Sequence, residues 1–232
     1  GSEMCIRDRS FSYVLNRLLT LPRSIWFNFR YLPFREAVCL PIWIANNVRI
    51  RNLHRGGIKL KGKRSIGLVR LGYHLADSVD IYSVHTIIDI RKRGQLIFTG
   101  DAHVGRGALI CVKSGILTIG KNFAISGTTS IVCSQSISIG NDVQFSWNTL
   151  VMDSDAHIVW DRNGTEYINM QPIVIGDKVW VAANCTLLKG TVIPDNCVIA
   201  SNSLLNRSYL ISNRIIGGIP ARELKEIGGW RL

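Results

Sequence analysis

The chain has 232 residues, 47% of them hydrophobic, and its 28 Lys and Arg against 16 Asp and Glu leave a formal net charge of +12. That length suits one elongated domain plus an N-terminal extension, and the basic excess points to a polyanionic partner such as nucleotide phosphates, lipid headgroups or an acidic glycan. No apolar run is long enough to span a membrane, no signal peptide is evident and no nucleic-acid recognition motif accompanies the charge, which argues against integral membrane, secreted and nucleic-acid-binding classes.

Taken in chain order, Gly1 and Ser2 read as an expression scar, and residues 1–9 carry no usable pattern. Residues 10–58 form a basic aromatic arm. Tyr13, Leu15, Leu18 and Leu19 predict a short helix ended by Pro22. Beyond it Trp26, Phe27, Phe29, Tyr31 and Phe34 alternate with Arg23, Arg30 and Arg35, a mixture suited either to a water–lipid interface or to packing on the body or on a neighbouring subunit. Residues 59–97, with the clusters KLKGKR and DIRKRG, are expected to be an irregular β cap protecting a strand edge. Their charges are otherwise an ordinary solvated face.

The region 98–212 has a different texture. Ile175, Val181, Leu187, Ile193, Ile199 and Leu205 follow a strict step of six, and small residues (Val179, Cys185, Thr191, Cys197, Ser203) stand four places after the aliphatic ones. Neither a helix nor a strand repeats at six, so the step predicts a parallel β-helix in which three blocks make one triangular coil. The beat recurs at Ile119, Ile125, Ile131 and Ile137, again from Ile139 with Val151 and His157 in phase, and more weakly at Phe98, Val104 and Ile110. The openings ILTIGKN, ISIGND and IVIGDK each place Gly and a polar pair where a corner must turn. The interval from Ile139 to Ile175 is expected to hold two coils, with the polar segment 153–172 thrown out as a loop. Residues 213–232 form a tail. The six cysteines have no metal-ligand spacing, and Cys111, Cys133, Cys185 and Cys197 sit in β-rich coils, so a reduced, cytoplasmic setting fits better than disulfides.

The phased coils, the ejected loop with its His, the Trp of DKVW and the closing GGIPAR resemble the hexapeptide-repeat acyltransferases, in particular galactoside, maltose and polysaccharide O-acetyltransferases. The resemblance covers residues 119–227 and implies a left-handed coil, a homotrimer and acetyl-CoA bound between subunits. It also implies that the loop histidine, His157, is the general base, a role suited to an imidazole near neutral pH. Asp155 or Asp153 would orient it, Asp155 lying on the same face of an extended strand. On the donor side the resemblance assigns Trp180 to the pantetheine arm, Ala183 and Ser201 to backbone contacts, and Arg207 and Arg222 to the CoA phosphates. Ala183 stands where close relatives carry Ser. The segment ASNS around Ser201 replaces the family's glycine-rich one. One coil earlier, where sugar acetyltransferases carry an acceptor-side Asn, this chain has Ser126 and Thr128.

The resulting expectation is an acetyl-CoA-dependent O-acetyltransferase that acts on a sugar hydroxyl in surface polysaccharide or lipid-linked glycan biosynthesis, with direct transfer and no metal. It would be cytoplasmic, with peripheral membrane contact through the arm, and its acceptor a glycan or a nucleotide- or lipid-linked sugar. The alternatives are an N-acetyltransferase on an amino sugar or amino acid, and a non-enzymatic β-helix scaffold. A metal-dependent hydratase on the same fold would need three histidine ligands.

Overall fold

The computed structural model describes residues 19–73 and 84–231. Tyr13, Leu15, Leu18 and His74 lie outside them. The chain winds through three sheets that form the sides of a left-handed, triangular parallel β-helix. The first face runs from Ile42–Ile44 through Val69–Tyr73, Ala102–Gly105, Phe123–Ile125, Gln144–Phe145, Trp180–Val181 and Val198–Ile199 to Arg214–Gly218 and Ala221–Glu226. The second contains Val48–Arg51, Thr86–Ile90, Leu109–Val112, Ser130–Cys133, Leu150–Met152, Thr186–Leu188 and Leu204–Leu205. Ile58–Leu60, Gln95–Phe98, Ile116–Ile119, Ser136–Ile139, Ile173–Ile175 and Val192–Ile193 make up the third. Each coil visits the faces in that order, and pairing is parallel until the last two strands of the first face, which close the stack as an antiparallel hairpin.

Register explains the core. On the first face Ile44, Leu71, Val104, Ile125, Phe145, Val181, Ile199 and Ile216 are successive partners, and all are buried. Each such side chain withdrawn from water stabilises the fold by roughly 1.5–3 kcal/mol. The glycines of the three coil openings are required by close approach. A Cβ on Gly120, Gly140 or Gly176 would lie 2.2, 2.4 or 2.3 Å from an atom of the next coil. The polar residue that follows ties the coils together, since the Asp177 carboxylate accepts from the Asn141 N–H at 2.7 Å and Asp195 accepts from the Asp177 N–H at 2.7 Å.

Three expectations change. The stacked coils begin at Ile42, not at Phe98, because residues 59–97 pair in register with later coils, Ile58–Leu60 against Leu96–Phe98 for example. The hexapeptide beat fades there because the corners hold unequal numbers of residues, while the strands stay regular. Secondly, Ile139 pairs directly with Ile175, so the interval between them is one coil with an excursion rather than two coils. Thirdly, the helix does not end at Pro22 but runs on over residues 19–31, followed by a short helix Phe34–Ala37.

What holds that helix in place is polar. Asn28 donates to the Ile42 carbonyl at 2.6 Å and accepts from the Ile42 N–H at 3.1 Å, while Ser24 Oγ accepts from the Ile44 N–H at 3.1 Å. These are the groups that the first strand of the first face would otherwise leave unpaired on its open side. Phe27, fully buried beside them, joins the core at the end of the coil. The arm is therefore a cap.

Candidate active site

The excursion leaves the body at the corner between the second and third faces, after Met152, and returns at Ile173. It is a hairpin in outline, with antiparallel bridges Ser154–Met170 and Trp160–Glu166. Its tip turns at Asn163-Gly164, with Gly164 at φ 81° and the Asp161 carboxylate accepting from the Asn163 and Thr165 N–H groups at 2.8 and 2.9 Å. Exposed apolar side chains, Ile158, Val159, Trp160, Tyr167 and Ile168 among them, stand along it.

His157 is exposed at the start of this hairpin, and its Nδ1 lies 3.2 Å from the Asp155 backbone oxygen. A carbonyl can only accept, so Nδ1 carries the proton and Nε2 presents a free lone pair. That is the tautomer a general base needs. The position departs from the expected strand: Ala156, between the two residues, is at φ 61°, so the alternation that would have set the Asp155 side chain beside His157 is broken. The Asp155 carboxylate instead binds the Lys189 ammonium, which also donates to the Ile168 carbonyl at 2.6 Å. Asp155 thus meets His157 through its backbone oxygen, not its carboxylate.

Asp153 does not reach the imidazole either. Fully buried, it accepts from the Ser134, Gln135 and Ser136 N–H groups at 2.7, 2.8 and 2.8 Å and anchors the corner where the loop departs. Beside it the Cys133 thiol is pushed up strongly, first by burial and then by the Asp153 charge.

Most of the remaining assigned residues gather at a different place. Ser126, Thr128, Ala183 and Ser201 lie along the corner between the first and second faces. Thr128 Oγ1 donates to Asn148 Oδ1 at 2.7 Å, and the Asn202 N–H donates to the Ala183 carbonyl at 3.1 Å, so this corner is a continuous ladder across coils. Trp180, on the first face beside it, donates its indole N–H to Ser146 Oγ at 3.2 Å. Its ring lies 6.2 Å from that of Trp230, whose own N–H donates to the Lys178 carbonyl at 2.7 Å. A cleft of about 420 Å³ opens next to this pair, lined by Asn122, Asp142, Gln144, Lys178, Trp230 and Arg231.

Arg207 and Arg222 share another cleft, of about 500 Å³, at the C-terminal end of the coil. There the Arg207 guanidinium lies over the Tyr209 ring at 5.4 Å, and Tyr209 OH donates to the Ala221 carbonyl at 3.2 Å.

Two residues of these contacts escape a reading of the sequence. Lys189 looks like any surface lysine until the loop is folded back on it, and Trp230 follows a Gly-Gly pair outside every repeat. Among the described residues no three His, Cys, Asp or Glu side chains are grouped as metal ligands, and the five described cysteines are free thiols.

Residues 172–207 match the bacterial transferase hexapeptide family (six repeats). A Klebsiella pneumoniae protein described as an uncharacterized 24.8 kDa protein in the cps region is 27% identical over 207 residues, covering 88% of this chain and 87% of that one. The galactoside O-acetyltransferase of Escherichia coli is 29% identical over 146 residues, covering 60% and 70%. Among solved structures, the polySia-specific acetyltransferase NeuO superposes with a TM-score of 0.52 at 19% identity, covering 83% and 79%. AntD, a Bacillus cereus N-acyltransferase solved with dTDP and coenzyme A, does so with a TM-score of 0.50 at 14% identity, covering 80% and 81%. At those identities the structural likeness is one of fold.

Proposed function

We propose that this chain, a hexapeptide-repeat acyltransferase related to known O- and N-acyltransferases, moves an acetyl group from acetyl-CoA to a sugar hydroxyl in the building of a surface polysaccharide or lipid-linked glycan. The observation that carries the reading is the hydrogen bond from His157 Nδ1 to the Asp155 carbonyl. It leaves Nε2 as an exposed base on a loop braced by Lys189. Galactoside O-acetyltransferase among the relatives supports a sugar hydroxyl as acceptor.

In the proposed reaction His157 Nε2 takes the proton from the acceptor hydroxyl while its oxygen attacks the thioester carbonyl. The C–O bond forms, the tetrahedral oxyanion collapses, the C–S bond breaks, and the imidazolium returns its proton to the thiolate as free CoA leaves. The Asp155 carbonyl keeps its hydrogen bond throughout and stabilises the imidazolium. Trp180 and the ladder of Ala183 and Ser201 hold the pantetheine arm, and Arg207 and Arg222 bind phosphate. Ser126 and Thr128 supply hydroxyls on the acceptor side.

His157 leaves from the corner between the second and third faces, whereas Trp180, Ala183 and Ser201 stand at the first face and its corner with the second. Within one coil the second face lies between these two sets. A site that uses both sets would draw them from two copies of the chain, and a closed ring of three would supply three such sites, which supports the homotrimer reading.

The test is thiol release from acetyl-CoA with a panel of sugars and matched amino sugars, for the wild type and His157→Ala. Loss of a general base is expected to lower kcat by about 10²–10⁴ with coenzyme A affinity retained. Near wild-type turnover in the variant would remove His157 from the mechanism. Transfer to amines alone would replace the O-acetyl reading with the N-acetyl one.

A further inference from the structure

The capping helix is built inside out. Its buried side carries Thr20, Ser24 and Asn28, all but fully buried and hydrogen-bonded, with Phe27 filling the core between them. The side turned to solvent is apolar: Leu19, Ile25, Trp26 and Phe29 are 64%, 39%, 53% and 41% exposed, and Phe34 just beyond the helix is 68% exposed. On a helix of 3.6 residues per turn these positions fall on one arc, with Arg30 at its edge. A surface helix ordinarily shows the opposite arrangement, and an exposed patch of this kind marks a contact.

Charge identifies the partner. Residues 19–68, comprising the cap and the first coil, hold ten Lys and Arg and a single acidic residue, Glu36, which Arg64 already engages at 2.7 Å. Most of the chain's formal net charge of +12 is therefore collected on the cap and the first coil, with Arg49, Arg51, Lys59, Lys61 and Lys63 all exposed on the first coil. An apolar stripe bearing aromatic rings, at the same end of the coil as these cations, complements a bilayer whose surface is anionic. It does not complement a second copy of itself, since a symmetric contact would set two such basic ends against one another. Among the described residues no helix is long and apolar enough to cross a membrane, so contact through this arc is peripheral.

We infer that the capped end of the coil docks on an anionic lipid surface, with Trp26, Phe29 and Phe34 entering the headgroup layer and the cations of the first coil held against it. The inference stands on the cap and on charge, independently of the acyl-transfer reading. It deepens that reading by placing the enzyme where a lipid-linked acceptor is found.

Flotation of the full chain with phosphatidylcholine vesicles, with and without phosphatidylglycerol, tests it in low and high salt. The wild type is expected to float only with the anionic vesicles and to be released by salt. The pair Trp26→Ser, Phe29→Ser is expected to lower partitioning about tenfold or more. The pair Lys59→Glu, Lys61→Glu, at exposed sites where misfolding is not expected, should lower it comparably. Thiol release with a free sugar acceptor should stay at the wild-type level in both. Failure to float, or equal flotation with neutral vesicles, overturns the inference. So does a smaller oligomer in the Trp26/Phe29 variant, which would assign the arc to contact between chains. Flotation needs no turnover, so its outcome is separable from that of the acyl-transfer assay.

Discussion

Lys189, at a corner one coil beyond the loop's departure, holds both ends of the excursion: its ammonium binds the Asp155 carboxylate on the outgoing strand and the Ile168 carbonyl on the returning one. His157 follows Asp155 by two residues and is bonded to its backbone oxygen. The orientation of the proposed base therefore depends on a cation that need not touch substrate.

Lys189→Ala is expected to lower kcat about ten- to a hundredfold, because a displaced base loses its alignment with the hydroxyl. The KM for acetyl-CoA should hardly change. The ion pair is partly solvated, so the loss of stability should stay below about 1 kcal/mol. Steady-state kinetics beside a thermal melt separate the two effects, and Lys189→Arg should recover part of the rate.

Asp153→Asn should act in the opposite sense. Three backbone N–H groups converge on the Asp153 carboxylate. An amide in its place sets an NH2 against at least one of them, at a cost of about 2–3 kcal/mol. A clear fall in the unfolding midpoint is expected, with kcat per folded molecule near wild type. Loss of turnover without loss of stability would instead make Asp153 part of the catalytic machinery.

The buried thiols set an alkaline limit. Cys111, Cys133, Cys185 and Cys197 are all raised above the ordinary value of 9.0, burial being the largest cause in each. A thiol that holds its proton more tightly when folded contributes stability that is fully present below pH 9 and is lost as the pH rises above it. Denaturation midpoints should therefore fall as the pH is raised above 9. At pH 8 these four thiols should resist a disulfide reagent until the chain is unfolded.

Trp230→Ala removes the ring that lies against Trp180 and the hydrogen bond to Lys178. If Trp180 contacts the donor, the KM for acetyl-CoA should rise about fivefold, the order of one lost aromatic pair, with kcat unchanged. Trp230→Phe keeps the ring contact and should restore most of the affinity. An unchanged KM in both variants would detach the C-terminal tail from donor binding.

The sequence shows the coil best where its sides are equal. Ile175, Val181, Leu187, Ile193, Ile199 and Leu205 keep step because that stretch places six residues on each side, corners included. Ile44 and Leu71 are register partners in the same core column, yet the longer corner runs between them erase the beat. The loop and its histidine were legible as a polar interruption in the repeat. The conformation at Ala156 was not, since alanine is no usual occupant of a positive φ, and it is this residue that turns the Asp155 side chain from His157 toward Lys189. The arm was legible as aromatic and basic, but which rings it exposes depends on Ser24 and Asn28 binding the edge of the first strand.

A stack of parallel coils converts position along the chain into height. Successive strands lie about 4.8 Å apart, so the four steps on the second face from Val48–Arg51 to Leu150–Met152 raise the base of the loop about 19 Å above the first coil. With the capped end resting on a bilayer and the prism upright, a sugar joined directly to its lipid would lie below the reach of His157, and one several rings further out would meet it. On the proposed docking and acyl transfer, the coil would act as a ruler, selecting acceptors by how far they have grown from the membrane.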